Sequence, residues 1–150
     1  EAHADNAQYE KQLAKQNEGE GKTILLIESN AKVQDSLRDK LKDIGYRVLI
    51  TNIPQRGLVR FDGLDPSEEM PADCVIFGCA GLGMAGVKAF AGFVQNHSTA
   101  QLPAILITKE KVAGGVPEEW FNEHRVLLNM PLKFKLVKRA LRKVLNLETE

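Results

Sequence analysis

The sequence predicts an α/β fold, a five-stranded parallel sheet sandwiched between helices. Three observations carry that expectation. Five short apolar runs, at 23–28, 46–51, 73–78, 103–108 and 125–130, alternate with helical patterns. The runs are continuous rather than alternating, as suits strands buried on both faces of a parallel sheet. The length of 150 residues fits one ordinary domain with a short extension, large enough to build a core without staples. Strand–helix alternation of this kind leads to parallel pairing and right-handed crossovers.

Residues 1–21 are rich in Ala, Gln, Glu, Asn and Lys and poor in large apolar groups. They read as a linker or frayed helix that ends at the breaker Gly19-Glu20-Gly21. The folded domain is expected over 22–147, with 148–150 as a tail. "TILLIE" (23–28) is the first strand. Val33, Leu37, Leu41 and Ile44 then fall on one helical face. Ser29 or Asn30 can cap that helix, and Gly45 lies where its C-terminus needs a left-handed residue. "YRVLIT" (46–51) is the second strand, and Pro54 opens a helix carrying Leu58, Phe61 and Leu64. Residues 66–72 are loop. "DCVIFG" (73–78) is the third strand, followed by a glycine-rich turn into a helix holding Val87, Phe90, Phe93 and Val94. "PAILIT" (103–108) is the fourth strand. Residues 109–123 form a loop with a short helix. "RVLLNM" (125–130) is the fifth strand, ended by Pro131. A last helix presents Val137, Ala140, Leu141, Val144 and Leu145 on one face.

Composition narrows the function classes. Lys plus Arg number 20 and Asp plus Glu number 20, so the formal net charge is zero. Broad binding to a phosphate backbone needs an excess of base, which is absent. Two cysteines are too few for a disulfide scaffold or a Cys-based zinc site. Cys74 and Cys79 point to opposite faces of a strand and read as buried free thiols. His3, His97 and His124 have no ligand spacing. No apolar run approaches the roughly 18–20 residues of a membrane span, and the start shows no signal-peptide pattern. The expected location is cytoplasmic, and the start at Glu1 rather than Met suggests a segment of something longer. The zero balance hides a gradient. Residues 1–20 carry a net −3, and residues 131–150 a net +4.

Ligand chemistry in open α/β sheets sits at the C-terminal strand ends. The residues there are Glu28, Ser29, Gly78, Thr108 and Met130. "GLGMAG" (81–86) is a formal G-x-G-x-x-G built on Gly81, Gly83 and Gly86, with Glu110 at the end of the next strand. It follows the third strand rather than the first, Lys109 intervenes before the acid, and too little fold remains for two mononucleotide units. It therefore reads as a flexible turn. Glu28, a lone carboxylate, reads as a structural acceptor for Lys109 or a loop amide. Trp120 and Phe121 are either core anchors or an exposed aromatic patch.

The strand ends taken together resemble the receiver domains of bacterial response regulators, the CheY-like family. "ILLIESN" looks like that family's first strand and acidic pair, and "DCVIFGCAGLGMAG" like its third strand and following loop. "LPAILIT" looks like the fourth strand with its switch Thr or Ser. "LLNMPLKFKLVKRAL" looks like the fifth strand, the Lys-Pro pair and the last helix. The resemblance covers roughly residues 22–147. It implies a flavodoxin-like doubly wound sheet in the order 2-1-3-4-5 with helices on both faces.

The family's chemistry is phosphoryl transfer to an aspartate beside Mg²⁺. In this sequence the phosphoacceptor position falls on Gly78, the acidic pair on Glu28 and Ser29, and the Lys position on Met130. Thr108 and Pro131 alone match. The resemblance thus implies a receiver without the phosphorylation chemistry. Its expected work is signalling through protein–protein contact, with no cofactor, no metal and no enzymatic step. The expected contact is the face of the fourth helix, fifth strand and fifth helix, carrying Trp120, Phe121, Lys135, Lys138, Arg139 and Arg142. Its occupant would be a signalling protein or a second copy, whose acidic residues 1–20 could complement the basic stripe. Neither a membrane nor direct nucleic-acid contact is expected. The alternative is a small-ligand or nucleotide sensor using the glycine-rich loop 78–86.

Overall fold

A computed structural model describes residues 18–65, 67–109 and 116–147. Five strands form one sheet: β1 (Thr23–Ile27), β2 (Arg47–Thr51), β3 (Cys74–Gly78), β4 (Ala104–Thr108) and β5 (Arg125–Asn129). Their order is β2-β1-β3-β4-β5, and every neighbouring pair is parallel. The expected order and class are therefore found. The register pairs Ile27 with Thr51 and Phe77, Gly78 with Ile107, and Thr108 with Asn129. All five C-terminal strand ends thus meet at one edge of the sheet.

Parallel strands need covering on both faces, and the sequence alternates its side chains between two apolar layers. Ile24, Leu26, Ile76, Ile105 and Ile107 pack with Leu37, Leu41, Val137 and Leu141. These belong to α1 (Ala31–Asp43) and α5 (Phe134–Val144). Leu25, Ile27, Val75, Phe77 and Leu106 pack on the other side with Phe61, Val87, Phe90 and Phe93. That layer is built by α2 (Pro54–Leu58), a following 3-10 turn (Val59–Phe61) and α4 (Met84–Gln95). Phe77 contacts Phe90 and Phe93 edge-on, with ring centroids 5.4 and 5.2 Å apart.

Helix signals behave as local chemistry dictates. Asn30 caps α1, its side chain accepting from the Val33 amide at 3.1 Å. Pro54 stands at the first turn of α2. Three expectations need correction. The helix expected to carry Leu58, Phe61 and Leu64 ends early, because Gly57 sits in its interior and Gly63 takes a φ of 76°. The third crossover is two helices, not one. α3 (Cys79–Leu82) stops at Gly83, whose φ of 55° breaks the chain before α4 begins. In the segment 109–123 the described helical part is only a 3-10 turn, Glu118–Trp120. Residues 110–115 lie outside the described residues, and Glu110 with them.

The domain start also moves. Glu18 through Gly21 belong to the fold rather than to a linker. The Gly19 amide donates to the Ile44 carbonyl at 2.8 Å, and any Cβ on Gly19 would run into the Tyr46 ring. Glu18 meets Arg142 of α5 through two hydrogen bonds of 3.0 and 3.1 Å. Residues 1–17 and 148–150, read as lead-in and tail, lie outside the described residues.

Candidate functional site

The strand-end residues divide into three groups. The first is centred on Glu28, which follows β1 and is buried. Its carboxylate accepts from the Asn30 amide at 2.9 Å and the Gly81 amide at 3.0 Å. Its backbone carbonyl accepts from the Gln34 side-chain amide on α1. A buried carboxylate is tolerable only with such donors, since an unpaired one would be strongly disfavoured. Gly78 ends β3 directly beside it. A Cβ on Gly78 would collide with Glu28 Oε1. The Glu28 carboxylate therefore fills the space into which a side chain at position 78 would project.

The glycine-rich motif is explained by the same group. A Cβ on Gly81 would strike Ser29 Oγ and lie 2.7 Å from the Asn30 nitrogen. A Cβ on Gly86 would lie 2.8 Å from Cys79 Sγ. The glycines let β1, α3 and α4 approach closely, and the Gly81 amide is directed at Glu28. An incoming anion would have to displace that carboxylate. Asn30, Gln34 and Gly81 were not singled out as partners of Glu28 in the sequence. The signal available was the glycine spacing, together with a carboxylate in need of a loop amide.

Thr108 forms the second group. It is fully buried, and its hydroxyl donates to Asn129 Oδ1 at 3.4 Å, while its carbonyl accepts from the Met130 amide at 2.7 Å. Met130 and Pro131, joined by a cis peptide bond, form the third. Met130 packs on the α1–α5 layer. The two residues line a cleft of about 270 Å³ together with Lys32, Leu37, Lys40 and Phe134. Glu28, Ser29 and Gly78 are thus brought together, with Thr108 and Met130 engaged elsewhere along the edge.

Both cysteines are buried and free. They lie in opposite layers, as their spacing suggests. Burial, and secondarily the Glu28 charge, pushes the Cys79 thiol up to about 11. Burial raises Cys74 as well. Neither is a thiolate at neutral pH. Among the described residues no group of three or more His, Cys, Asp or Glu side chains could hold a metal ion. No described helix is long and apolar enough to cross a membrane.

The expected contact face is rearranged. Trp120 and Phe121 turn onto Phe90 of α4, Phe121 stacking at 5.6 Å between centroids. They are half-buried and pack in the layer opposite α5, so they do not join the basic stripe. Arg142 is taken by Glu18 of the same chain. Lys135 and Arg139 remain exposed on α5, with Lys138 half-buried.

No family model matches the sequence, and no curated protein matches it. Solved structures do match. The receiver domain of a sensor histidine kinase from Pseudomonas aeruginosa PAO1, with a magnesium ion in its active-site cleft, superposes with a TM-score of 0.66 at 20% identity. That match covers 84% of this chain and 98% of the other. A response regulator receiver protein from Burkholderia phymatum gives 0.62 at 21% identity, covering 85% and 98%. A signal receiver domain of a histidine kinase from Clostridium thermocellum gives 0.64 at 19% identity, covering 85% and 99%. These likenesses span nearly the whole of each matched chain. The chain has the same fold as these receiver domains.

Proposed function

We propose that this chain is a degenerate receiver domain that signals through protein–protein contact without being phosphorylated. One observation carries the reading. The Glu28 carboxylate fills the space beside Gly78, at the strand end where a receiver presents its phosphoacceptor. Phosphoryl transfer needs a carboxylate nucleophile open to the donor, with oxygen ligands free for a divalent ion. Position 78 has no side chain, and Glu28 beside it is buried, one carboxylate oxygen held by the Asn30 and Gly81 amides and the other filling the space next to Gly78. Met130 offers no charge to a phosphoryl oxygen.

The output in this reading is a contact. Lys135, Lys138 and Arg139 on α5 favour an acidic signalling partner in the cytoplasm. Incubating the protein with Mg²⁺ and a small phosphodonor, followed by intact mass measurement, tests the proposal. The expected result is no phosphoryl adduct. A stoichiometric adduct overturns it. The sensor alternative is checked by a thermal-shift screen with nucleotides, because a ligand that binds only the folded state raises stability. No shift is expected, since the Gly81 amide is already engaged.

A further inference from the structure

The layer opposite α5 carries a groove of about 390 Å³ between α2 and α4. Pro54, Leu58 and Val59 form one wall, and Lys88, Gly92 and Phe93 the other. Three features distinguish it. Val59, which lines it, is an exposed large apolar side chain, at 59%. Gly92 lies in the middle of α4, where glycine weakens a helix, and a Cβ there would meet nothing within 4 Å. The groove wall is therefore flat at that point, with room for a side chain from outside.

The third feature is its charge. Lys88 and Asp62 both line the groove, and Asp62 lies at the Asn96 end, where its Oδ1 accepts from Asn96 Nδ2 at 3.5 Å. Asn96 follows Lys88 by eight residues, about 12 Å along the helix. Both charges are exposed, and neither takes part in an ion pair among the described residues. A groove with opposite charges at its two ends is complementary to itself when turned end for end. A two-fold axis through its middle sets Lys88 of each copy against Asp62 of the other. It also sets apolar Val59 and the flat Gly92 at the centre.

We propose that the α2–α4 groove is a two-fold self-association surface, and that its occupant is the same groove of a second copy. The surface lies across the sheet from the α5 stripe. The inference therefore stands whether or not the degenerate-receiver reading holds.

Sedimentation equilibrium on the full chain, over a range of concentrations and at two salt levels, tests it. A monomer–dimer equilibrium that weakens with salt is expected. Lys88→Glu and Asp62→Lys each convert two attractions into two repulsions and should raise the dissociation constant about tenfold or more. The double variant, with both charges exchanged, should recover the original value. Gly92→Glu should abolish the dimer while circular dichroism and the melting transition stay those of a folded domain. A protein monomeric at all concentrations overturns the proposal. So does a dimer indifferent to the single variants, which would place the interface elsewhere. Failure of the charge exchange to restore association overturns it as well.

Discussion

Glu28 and Gly78 form one unit, and each sets what the other can be. Glycine is required at 78 because a carboxylate stands where a Cβ would go. The carboxylate is accepted at 28 because two backbone amides meet it. Gly78→Ala is expected to destabilise the fold by about 1–3 kcal/mol through overpacking. Shortening position 28 in the same chain, as Glu28→Ala/Gly78→Ala, should remove that collision. Urea denaturation of both single variants and the double measures the coupling, expected at about 0.5–3 kcal/mol. Strict additivity would show that the two residues act independently. Half of this unit was legible in the sequence. A lone carboxylate at a strand end needs a donor, and a glycine-rich loop supplies amides. The steric half was not, because the approach of residues 50 apart in sequence depends on the β1–β3 register.

At the scale of elements, the strands were readable because their apolar runs are short, continuous and bounded by glycine, proline or polar residues. Where elements end was less readable. The break at Gly83 looks in sequence like one glycine of three, and only its positive φ separates α3 from α4. The start of the domain was hidden for a different reason. Glu18 looks like part of an acidic lead-in, and its partner Arg142 is 124 residues away. The pair is two-pronged and Glu18 is largely buried, its side chain 8% exposed. Such charge-assisted bonds are stronger than surface ion pairs. Glu18→Ala is expected to destabilise the protein by about 1–3 kcal/mol, the cost of a charged hydrogen-bond partner. Arg142→Ala should cost a similar amount. Thermal unfolding of each checks this, and no change in either would place Glu18–Gly21 outside the cooperative unit.

Across the whole molecule, buried acidic groups make the fold sensitive to base. Cys79, near 9 when exposed, is held at about 11 in the folded state. Its neutral form is therefore favoured by folding. The resulting stability is fully present below pH 9 and is lost as the pH rises toward about 11, because the unfolded thiol ionises first. Burial shifts Cys74 and Tyr46 in the same direction. Stability measured by urea titration should be level through neutral pH and fall from pH 9 upward. Cys79→Ala should make that fall shallower, and an unchanged slope would remove Cys79 as a contributor. Both thiols should also resist alkylation at pH 8 until the protein is unfolded.

The two apolar layers place the α5 stripe and the α2–α4 groove on opposite sides of one sheet. Occupancy of one surface therefore leaves the other open. Two copies joined through the groove would hold a pair of basic stripes facing outward at a fixed span. A target bearing two acidic segments would then engage the second stripe as an intramolecular event, with avidity gains of about 10²–10⁴ over one contact. A target with a single segment would gain nothing. Pairing of this chain would act as a valency filter, selecting targets by how many acidic segments they present and how far apart these lie.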